Sequence, residues 1–361
     1  MSSSPKEFAG RLEPQDEQGS DVLADVLDSM RLSTIMYGRF ELNAPWGIRF
    51  CERPAAHLVL LARGSARLEV EGIEGAVTLS AGDLALLPHG ASHTLRDAEG
   101  SPLHLLGHGD CKRVRALGPI RLGGDGERTT LVAGSFRHGA APRMLLFERL
   151  PQLVHVAADD PAIAPSLAST AQLLITESAS SSPGATVIMS RLADILLAQA
   201  LRAHIATGQC NEHGLCALTD PQIGKALSVI HESPAAPWTV ESLASAVALS
   251  RSGFAARFTA LVGKPPLEYL AQWRMTKAAQ LLRESETPLS EVATAIGYQS
   301  EASFNRAFKR WEGSAPGTYR REHRRGGDRS APDNEAPGSH GILGELSSSG
   351  AGAGRGGPGS R

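Results

Sequence analysis

Apolar side chains in the C-terminal third of the chain recur at helical spacing in two similar stretches, residues 239–258 and 288–310. In each stretch a short apolar face is followed by a break and then by a second segment whose aromatic residues lie four apart. This spacing predicts two short helices that bury one face each, a helix-turn-helix whose second helix enters a DNA groove. The residues predicted to be buried are Leu243, Ala244, Val247, Phe254, Phe258 and Leu261 in the first stretch and Leu289, Val292, Ala293, Ile296, Phe304, Phe308 and Trp311 in the second.

Polar residues stand where the ends of these helices are predicted. Glu241 and Glu291 suit the positive end of a helix, and Gly297 lies where the chain must turn sharply. A plain helical bundle with charged faces would explain one such pattern, but two copies in register beside a basic segment favour DNA binding. The predicted helix caps are Thr239 and Ser250 in the first stretch and Ser290 and Ser300 in the second.

The outward side chains of the two second helices form the predicted DNA-binding surface. Arg306 suits guanine and Asn305 adenine, and Arg251 suits either a base or a phosphate. In the second helix of the first stretch, Ala255 and Ala256 have no polar side-chain atoms. They therefore suit contacts with thymine methyl groups, or positioning of the helix, better than hydrogen bonds to bases. We predict phosphate contacts for Arg257, Lys309 and Arg310. The full predicted set is Arg251, Ser252, Ala255, Ala256, Arg257, Glu301, Ala302, Asn305, Arg306, Lys309 and Arg310.

Residues 220–321 resemble the DNA-binding domain of the AraC/XylS family of bacterial transcription regulators. The motifs that carry the resemblance are the lead-in 220–232, Trp238-Thr239, Arg251-Ser252-Gly253-Phe254, Trp273-Arg274-Met275 and Gly297-Tyr298-Gln299-Ser300-Glu301. The resemblance implies that a linker helix, Pro266–Arg283, joins the two helix-turn-helix units (241–262 and 288–311). It also implies that the reading helices meet successive major grooves of double-stranded DNA, with RNA polymerase as a candidate partner of an activator.

In the first predicted domain, residues 21–156, the segment Asp21–Met30 suits a short helix. The short strand patterns that follow it, separated by Gly and Pro, indicate an all-β barrel or sandwich. The spacing of Gly82, Pro88, Gly90 and His93 resembles the second motif of cupins, which are jelly-roll barrels. The sequence therefore predicts an α+β chain of two domains. A cupin-like β-barrel followed by helices comes first, and an all-α domain with two helix-turn-helix motifs comes second.

The cupin resemblance implies a metal held by three histidines and a glutamate, but this chain keeps few of these ligands. Only His57 and His93 stand at ligand positions, with Cys51 or Glu52 as a possible third. Because a catalytic metal needs three protein ligands, we expect no metal, no other cofactor and no enzymatic activity. A barrel that binds a small-molecule effector at His57, His93 and Cys51, or that binds nothing, is favoured over the alternative, a metal-dependent cupin enzyme fused to a DNA-binding module.

Between the two domains, residues 157–206 have helical spacing and much apolar surface. They are predicted to pack on the barrel or to pair two subunits, so a homodimer is expected. Residues 207–219 are predicted to be a loose linker that leads to the DNA-binding domain, 220–323. Low apolar content predicts disordered tails at 1–20 and 324–361.

Composition agrees with a globular regulator, since the 361 residues are 42% hydrophobic and 20% charged. The net charge is −2, so basic charge is local: residues 302–325 contain seven basic and two acidic residues. Such a cluster suits phosphate contacts. The four cysteines form no disulfide framework, and neither a signal peptide nor a long apolar run is found. A cytoplasmic protein without a membrane partner is expected.

Overall fold

The computed structural model describes residues 21–30, 33–52, 55–106, 119–137, 149–160, 165–206 and 214–325. The predicted tail 1–20, the predicted strand near residues 144–147 and residues 326–361 lie outside these ranges. In the N-terminal half, a short helix precedes a series of strands. These elements are α1 (Val22–Met30), β1 (Ser33–Asn43), β2 (Gly47–Phe50), β3 (Ala56–Arg63), β4 (Ser65–Val70), β5 (Val77–Ser80), β6 (Leu84–Leu87), β7 (His93–Arg96), β8 (His104–Leu106), β9 (Ile120–Gly123), β10 (Arg128–Arg137) and β11 (Val154–Val156).

The strands form two sheets, as the predicted jelly roll requires. One sheet has the order β11-β6-β3-β10-β1-β9 and the other β5-β4-β7-β2-β8. Successive residues of β3 point to opposite faces of the larger sheet. Val59 and Leu61 therefore lie in the core between the two sheets, and Leu58 and Leu60 lie in a second core on the outer face of the larger sheet. Both faces of the larger sheet are therefore buried, and the chain must cover the outer one.

Helices cover that outer face. After the strands come α2 (Pro165–Ser178) and α3 (Ala185–Ala206), which pack against each other and on the sheet. Their buried side chains include Leu174, Leu196 and Leu201, which share a core with the outer side of β3 and with α1. The break between the two helices falls at Ser180–Gly184, where the Ser-Ser-Ser-Pro-Gly sequence predicts it.

The C-terminal half is helical. Its elements are a 3-10 turn (Leu215–Thr219), α4 (Pro221–Glu232), α5 (Val240–Ala246), α6 (Arg251–Val262), α7 (Pro266–Glu284), α8 (Leu289–Ala295), α9 (Glu301–Glu312) and α10 (Pro316–Arg325). The core behind the sheet continues into α4, α5, α6 and the first part of α7. A separate core holds the second part of α7 together with α8, α9 and Tyr319 of α10.

Two expectations at the domain ends need correction. The end of the predicted loose linker is a packed 3-10 turn in which Leu215 and Ala217 are buried against the helices around them. At the other end, α10 extends to Arg325 and so includes the first two residues of the predicted disordered tail. Residues 207–213 lie outside the described ranges.

Candidate nucleic-acid interface

The first helix-turn-helix consists of α5 and α6. Thr239 caps α5 as predicted: its hydroxyl accepts from the Ser242 N–H at 3.0 Å, and the Ser242 hydroxyl accepts from the Thr239 N–H at 2.9 Å. Ser250 caps α6 as predicted by accepting from the Gly253 N–H. Gly263 ends α6 in the left-handed conformation, which glycine adopts without steric cost.

The second helix-turn-helix, α8 and α9, follows the same plan except at its start. Ser300 caps α9 as predicted, and Gly313 ends it in the left-handed conformation. The prediction that Ser290 caps α8 is wrong. The N-cap is Pro288, so Ser290 lies inside the helix, where its carbonyl accepts from the Thr294 hydroxyl. A proline before the helix lets it begin two residues earlier than the hydroxyl residue suggests.

Both turns place a residue at positive φ, Ala248 at 55° and Gly297 at 85°. In each turn the next N–H donates back to an alanine carbonyl, from Leu249 to Ala244 and from Tyr298 to Ala293. These bonds close the end of the first helix and set the direction of the second. The second turn contains one more residue than the first, so the two copies are in register only from the caps of α6 and α9 onward.

Aromatic burial orients both reading helices. Phe254 and Phe258 of α6 and Phe304 and Phe308 of α9 are completely buried, as their spacing predicts. The opposite sides of the helices are open to solvent. The exposed members of the predicted DNA-binding set are Arg251, Ser252, Ala256, Arg257, Glu301, Ala302, Arg306, Lys309 and Arg310, while Ala255 and Asn305 are half-buried.

Arg257 differs from the other exposed cations because its charge is paired. Its Nε donates to Asp220 at 2.9 Å, and the other carboxylate oxygen of Asp220 caps α4. Burial raises the pKa of Asp220, but the N–H of Ile223 and the Arg257 guanidinium together hold it below its usual value. No sequence pattern predicted this pair, which joins residues 37 positions apart.

Charge is distributed unequally over the two reading helices. Because Phe254 corresponds to Phe304, the positions of Arg306, Lys309 and Arg310 in α9 are those of Ala256, Thr259 and Ala260 in α6. The second reading helix thus carries three cations where the first has small side chains. Glu301 and Glu312 offset two of these cations, so the formal net charge of α9 is +1, while that of α6, which carries Arg251 and Arg257, is +2.

The two helix-turn-helix units meet at a contact that we call the seam. It consists of Arg274, the loop at residues 234–236 and Gly297. From α7, the Arg274 guanidinium donates to the carbonyls of Pro234 and Ala236, at 2.7 and 2.8 Å. Gly297, in the second turn, lies so close to the same loop that a Cβ there would be 2.6 Å from the Ala235 carbonyl oxygen. The loop before the first unit is therefore held against the turn of the second.

Both halves of the chain match known protein families. A family profile described as Cupin matches residues 21–206, and one described as Helix-turn-helix domain matches residues 243–322. A putative AraC-like transcription regulator of Streptomyces lividans is 38% identical over 307 residues, which cover 83% of this chain and 98% of the relative. The chain belongs to the AraC family of transcription regulators.

Other relatives of this AraC-family regulator agree. The HTH-type transcriptional regulator AlkR of Acinetobacter baylyi is 31% identical over 317 residues, covering 84% of this chain and 99% of AlkR. The solved DNA-binding domain of AdpA, in complex with a target DNA, is 32% identical and covers 29% of this chain and 95% of that one, with a TM-score of 0.28. The full-length relatives are transcription regulators and not enzymes, and so is this chain.

The cupin domain of the AraC-family chain brings two of its three predicted effector residues together. The rings of His57 and His93 are both buried, with centroids 5.2 Å apart, and Phe50 stacks on His93 at 4.7 Å. Cys51 is exposed. The cupin motif folds as predicted around them, with Gly82 and Gly90 at positive φ in turns.

Within the described ranges, no three His, Cys, Asp or Glu side chains lie close enough together to hold a metal ion. None of the helices that the structure describes is both long enough and apolar enough to cross a membrane.

Proposed function

We propose that this AraC-family regulator binds specific DNA sites in the cytoplasm by placing α6 and α9 in two major grooves. The observation that carries the proposal is the exposure of outward side chains on both reading helices while their phenylalanines form the cores. In this proposal Arg306 and Asn305 read bases and Arg251 reads a base or holds a phosphate. Lys309 and Arg310 hold phosphates.

Arg306→Ala and Lys309→Ala distinguish reading from holding. If Arg306 makes a bidentate base contact, its loss should cost about 1–3 kcal/mol on the native site and relax specificity there. Lys309→Ala should weaken binding on all sequences and reduce the salt slope by about 1. A genome-wide footprint supplies the native site, and fluorescence anisotropy on that site and on random DNA measures both effects. Equal loss on both DNAs for Arg306→Ala would show that it only holds phosphate.

We further propose that a small-molecule effector binds in the cupin domain beside His57 and His93. A buried pair of imidazoles next to the Phe50 ring offers hydrogen bonding and stacking in an otherwise apolar core, a combination typical of ligand sites. Thermal-shift screening of metabolites against the full chain tests this. A hit should lose its shift in His93→Asn and keep it in His89→Asn, since the latter side chain bonds to Leu150 outside this pair. A hit that shifts both variants alike would place the effector elsewhere.

For the homodimer, the support is apolar surface on α2 and α3. Leu173, Val187, Ile188 and Ile195 are between 46% and 64% exposed, which is unusual for so many apolar side chains on two adjacent helices. Ile188→Glu with Ile195→Glu should convert a dimer to a monomer in sedimentation velocity. A wild type that stays monomeric across the concentration range would contradict this proposal. RNA polymerase as a partner stays a prediction.

A further inference from the structure

A cavity of about 440 Å³ opens on the outside of the cupin domain, at the edge of the larger sheet. It lies where β9 pairs in parallel with the end of β1, and β10 pairs with β1 on the other side. It is separate from His57 and His93, which are buried between the sheets. Its lining consists of Glu41, Asn43, Arg121, Leu122, Gly123 and Arg128.

Strand register explains why charges converge at this cavity. Glu41 stands opposite Arg121 on β9, and Asn43 stands opposite Arg128 on β10. Gly123 allows β9 to end against β1 this closely, since a Cβ there would be 1.8 Å from the Asn43 carbonyl oxygen. The close approach brings both arginines onto one carboxylate oxygen of Glu41.

The carboxylate of Glu41 pairs with more positive charge than it can neutralise. Its Oε2 lies 3.1 Å from Arg121 Nε and 2.7 Å from an Arg128 Nη, and its Oε1 lies 3.2 Å from Arg39 Nε. Partial burial raises the pKa of Glu41, but these guanidinium groups outweigh it and hold the pKa below its usual value. Three cations and one anion leave an excess of two positive charges, on a chain whose net charge is −2.

The three arginines differ in their exposure to solvent and in the other contacts that their guanidinium groups make. Arg39 is 19% exposed and also donates to Ser178 at the end of α2, so it is committed to the fold. Arg121 is 76% and Arg128 45% exposed, and each contacts Glu41 through one nitrogen in the described part of the chain. Each guanidinium carries five N–H donors, so both arginines, which line the cavity, have donors beyond those that contact Glu41. The Glu41 carboxylate holds the guanidinium groups of Arg121 and Arg128 in place.

We propose that this cavity binds a small anion that carries a carboxylate or a phosphate group. Planar guanidinium forks match both groups in charge and in bidentate geometry. The volume lies within the range of small-ligand sites in proteins. Glu41 acts as a positioning residue, because it orients Arg121 and Arg128 without itself contacting the anion. This binding does not depend on the effector site proposed between the sheets.

Isothermal titration of the full chain with inorganic phosphate and, separately, with succinate at constant ionic strength tests the proposal. At least one probe should saturate with a dissociation constant of about 1 mM or tighter. In the double variant Arg121→Gln/Arg128→Gln, affinity for that probe should fall about ten-fold or more, because charge-assisted bonds are lost. The probe that saturates identifies which of the two groups the cavity prefers.

The matched control is Arg67→Gln, which removes a half-exposed arginine from the other sheet, where it pairs with Glu99. It should leave the titration unchanged. DNA binding of the double variant should equal that of the wild type, which shows that the chain still folds. Two results would overturn the proposal: neither probe saturates, or the double variant and Arg67→Gln bind the probe as tightly as the wild type.

Discussion

His93 lies in the interior of the cupin domain, where a positive charge would be poorly solvated. Burial lowers the pKa of His93 from 6.5 to about 4, and its hydrogen bond to the Ala91 carbonyl offsets only part of this effect. At neutral pH the ring is therefore uncharged, with Nδ1–H donating to Ala91 at 3.0 Å. Its Nε2 is then left as a hydrogen-bond acceptor.

The lowered pKa of His93 predicts a loss of stability in mild acid. Because the unfolded chain binds a proton near pH 6.5 and the folded chain only near pH 4, stability should be complete above pH 6.5 and fall between these values. From pH 7 to pH 5 this amounts to about 2 kcal/mol. His93→Asn keeps an N–H donor but cannot titrate, so urea unfolding at the two pH values should show a smaller loss. Equal losses in variant and wild type would contradict the assignment.

Single residues also show where sequence reasoning ends. Gly297 allowed a sharp turn to be predicted from the sequence, because only glycine adopts positive φ at little energetic cost. Ala248 occupies the same place in the first unit at a φ of 55°, yet its sequence context resembles an ordinary helix end. Ion pairs such as Arg257 with Asp220 depend on how distant segments pack, and side-chain spacing carries no information about that.

At the scale of elements, the turn of the second unit has two roles. Gly297 reverses the chain and also contacts the loop around Ala235, whereas Gly313 has a nearly equal φ of 86° but open space around it. Substituting each glycine therefore distinguishes the energetic cost of a left-handed backbone, which both positions share, from the cost of disturbing the contact between the units, which only Gly297 makes. Arg274 holds the same loop through its hydrogen bonds to the carbonyls of Pro234 and Ala236.

Gly297→Ala and Gly313→Ala form a matched pair. Gly313→Ala should cost about 1–2 kcal/mol, from the left-handed conformation alone. Gly297→Ala should cost about 1–3 kcal/mol more, because the Cβ overlaps backbone atoms of Ala235 that must move. Urea unfolding measures both. Gly297→Ala should also weaken binding to DNA that spans two grooves at temperatures where the protein is folded. Equal costs for the two variants would show that the seam is not tight.

Elements were predictable as far as local pattern specifies them. Helix periodicity predicted α5, α6, α8 and α9, and polar caps predicted the starts of α5, α6 and α9. Short strand patterns between Gly and Pro predicted most strands. The pairing of β1 with β10 and the seam at Arg274 were not predictable, since each joins residues about forty or more positions apart whose contact depends on the whole fold. The same limit hid the arginines around Glu41, which lie on three strands.

At the scale of the whole molecule, the two reading units belong to different cores. α5 and α6 share a core with α1, the outer face of the sheet and α3. His231 of α4 reinforces this connection, because it lies 3.3 Å from Asp25 of α1 and 2.7 Å from the Tyr269 hydroxyl. α9 has its own core, joined to the first by α7. A change in the cupin domain therefore has a packed route to the first reading helix and only an indirect one to the second.

This division predicts different responses to the same substitution in the two cores. Val26 of α1 and Val292 of α8 are both fully buried, one in each core, so replacing either by alanine removes the same atoms. Each change should cost about 1–3 kcal/mol through lost burial and a small cavity. Val26→Ala should speed amide hydrogen exchange in α4 and the first part of α7 and leave α9 unchanged.

Val292→Ala should do the reverse, speeding exchange in α8, α9 and the second part of α7 while α4 stays protected. Hydrogen-exchange mass spectrometry on both variants at one temperature provides the comparison, with the wild type as reference. If Val26→Ala speeds exchange equally in α4 and α9, the two cores open as one cooperative unit. In that case α7 transmits changes from the cupin domain to both reading helices alike, and the packed route has no preference for the first.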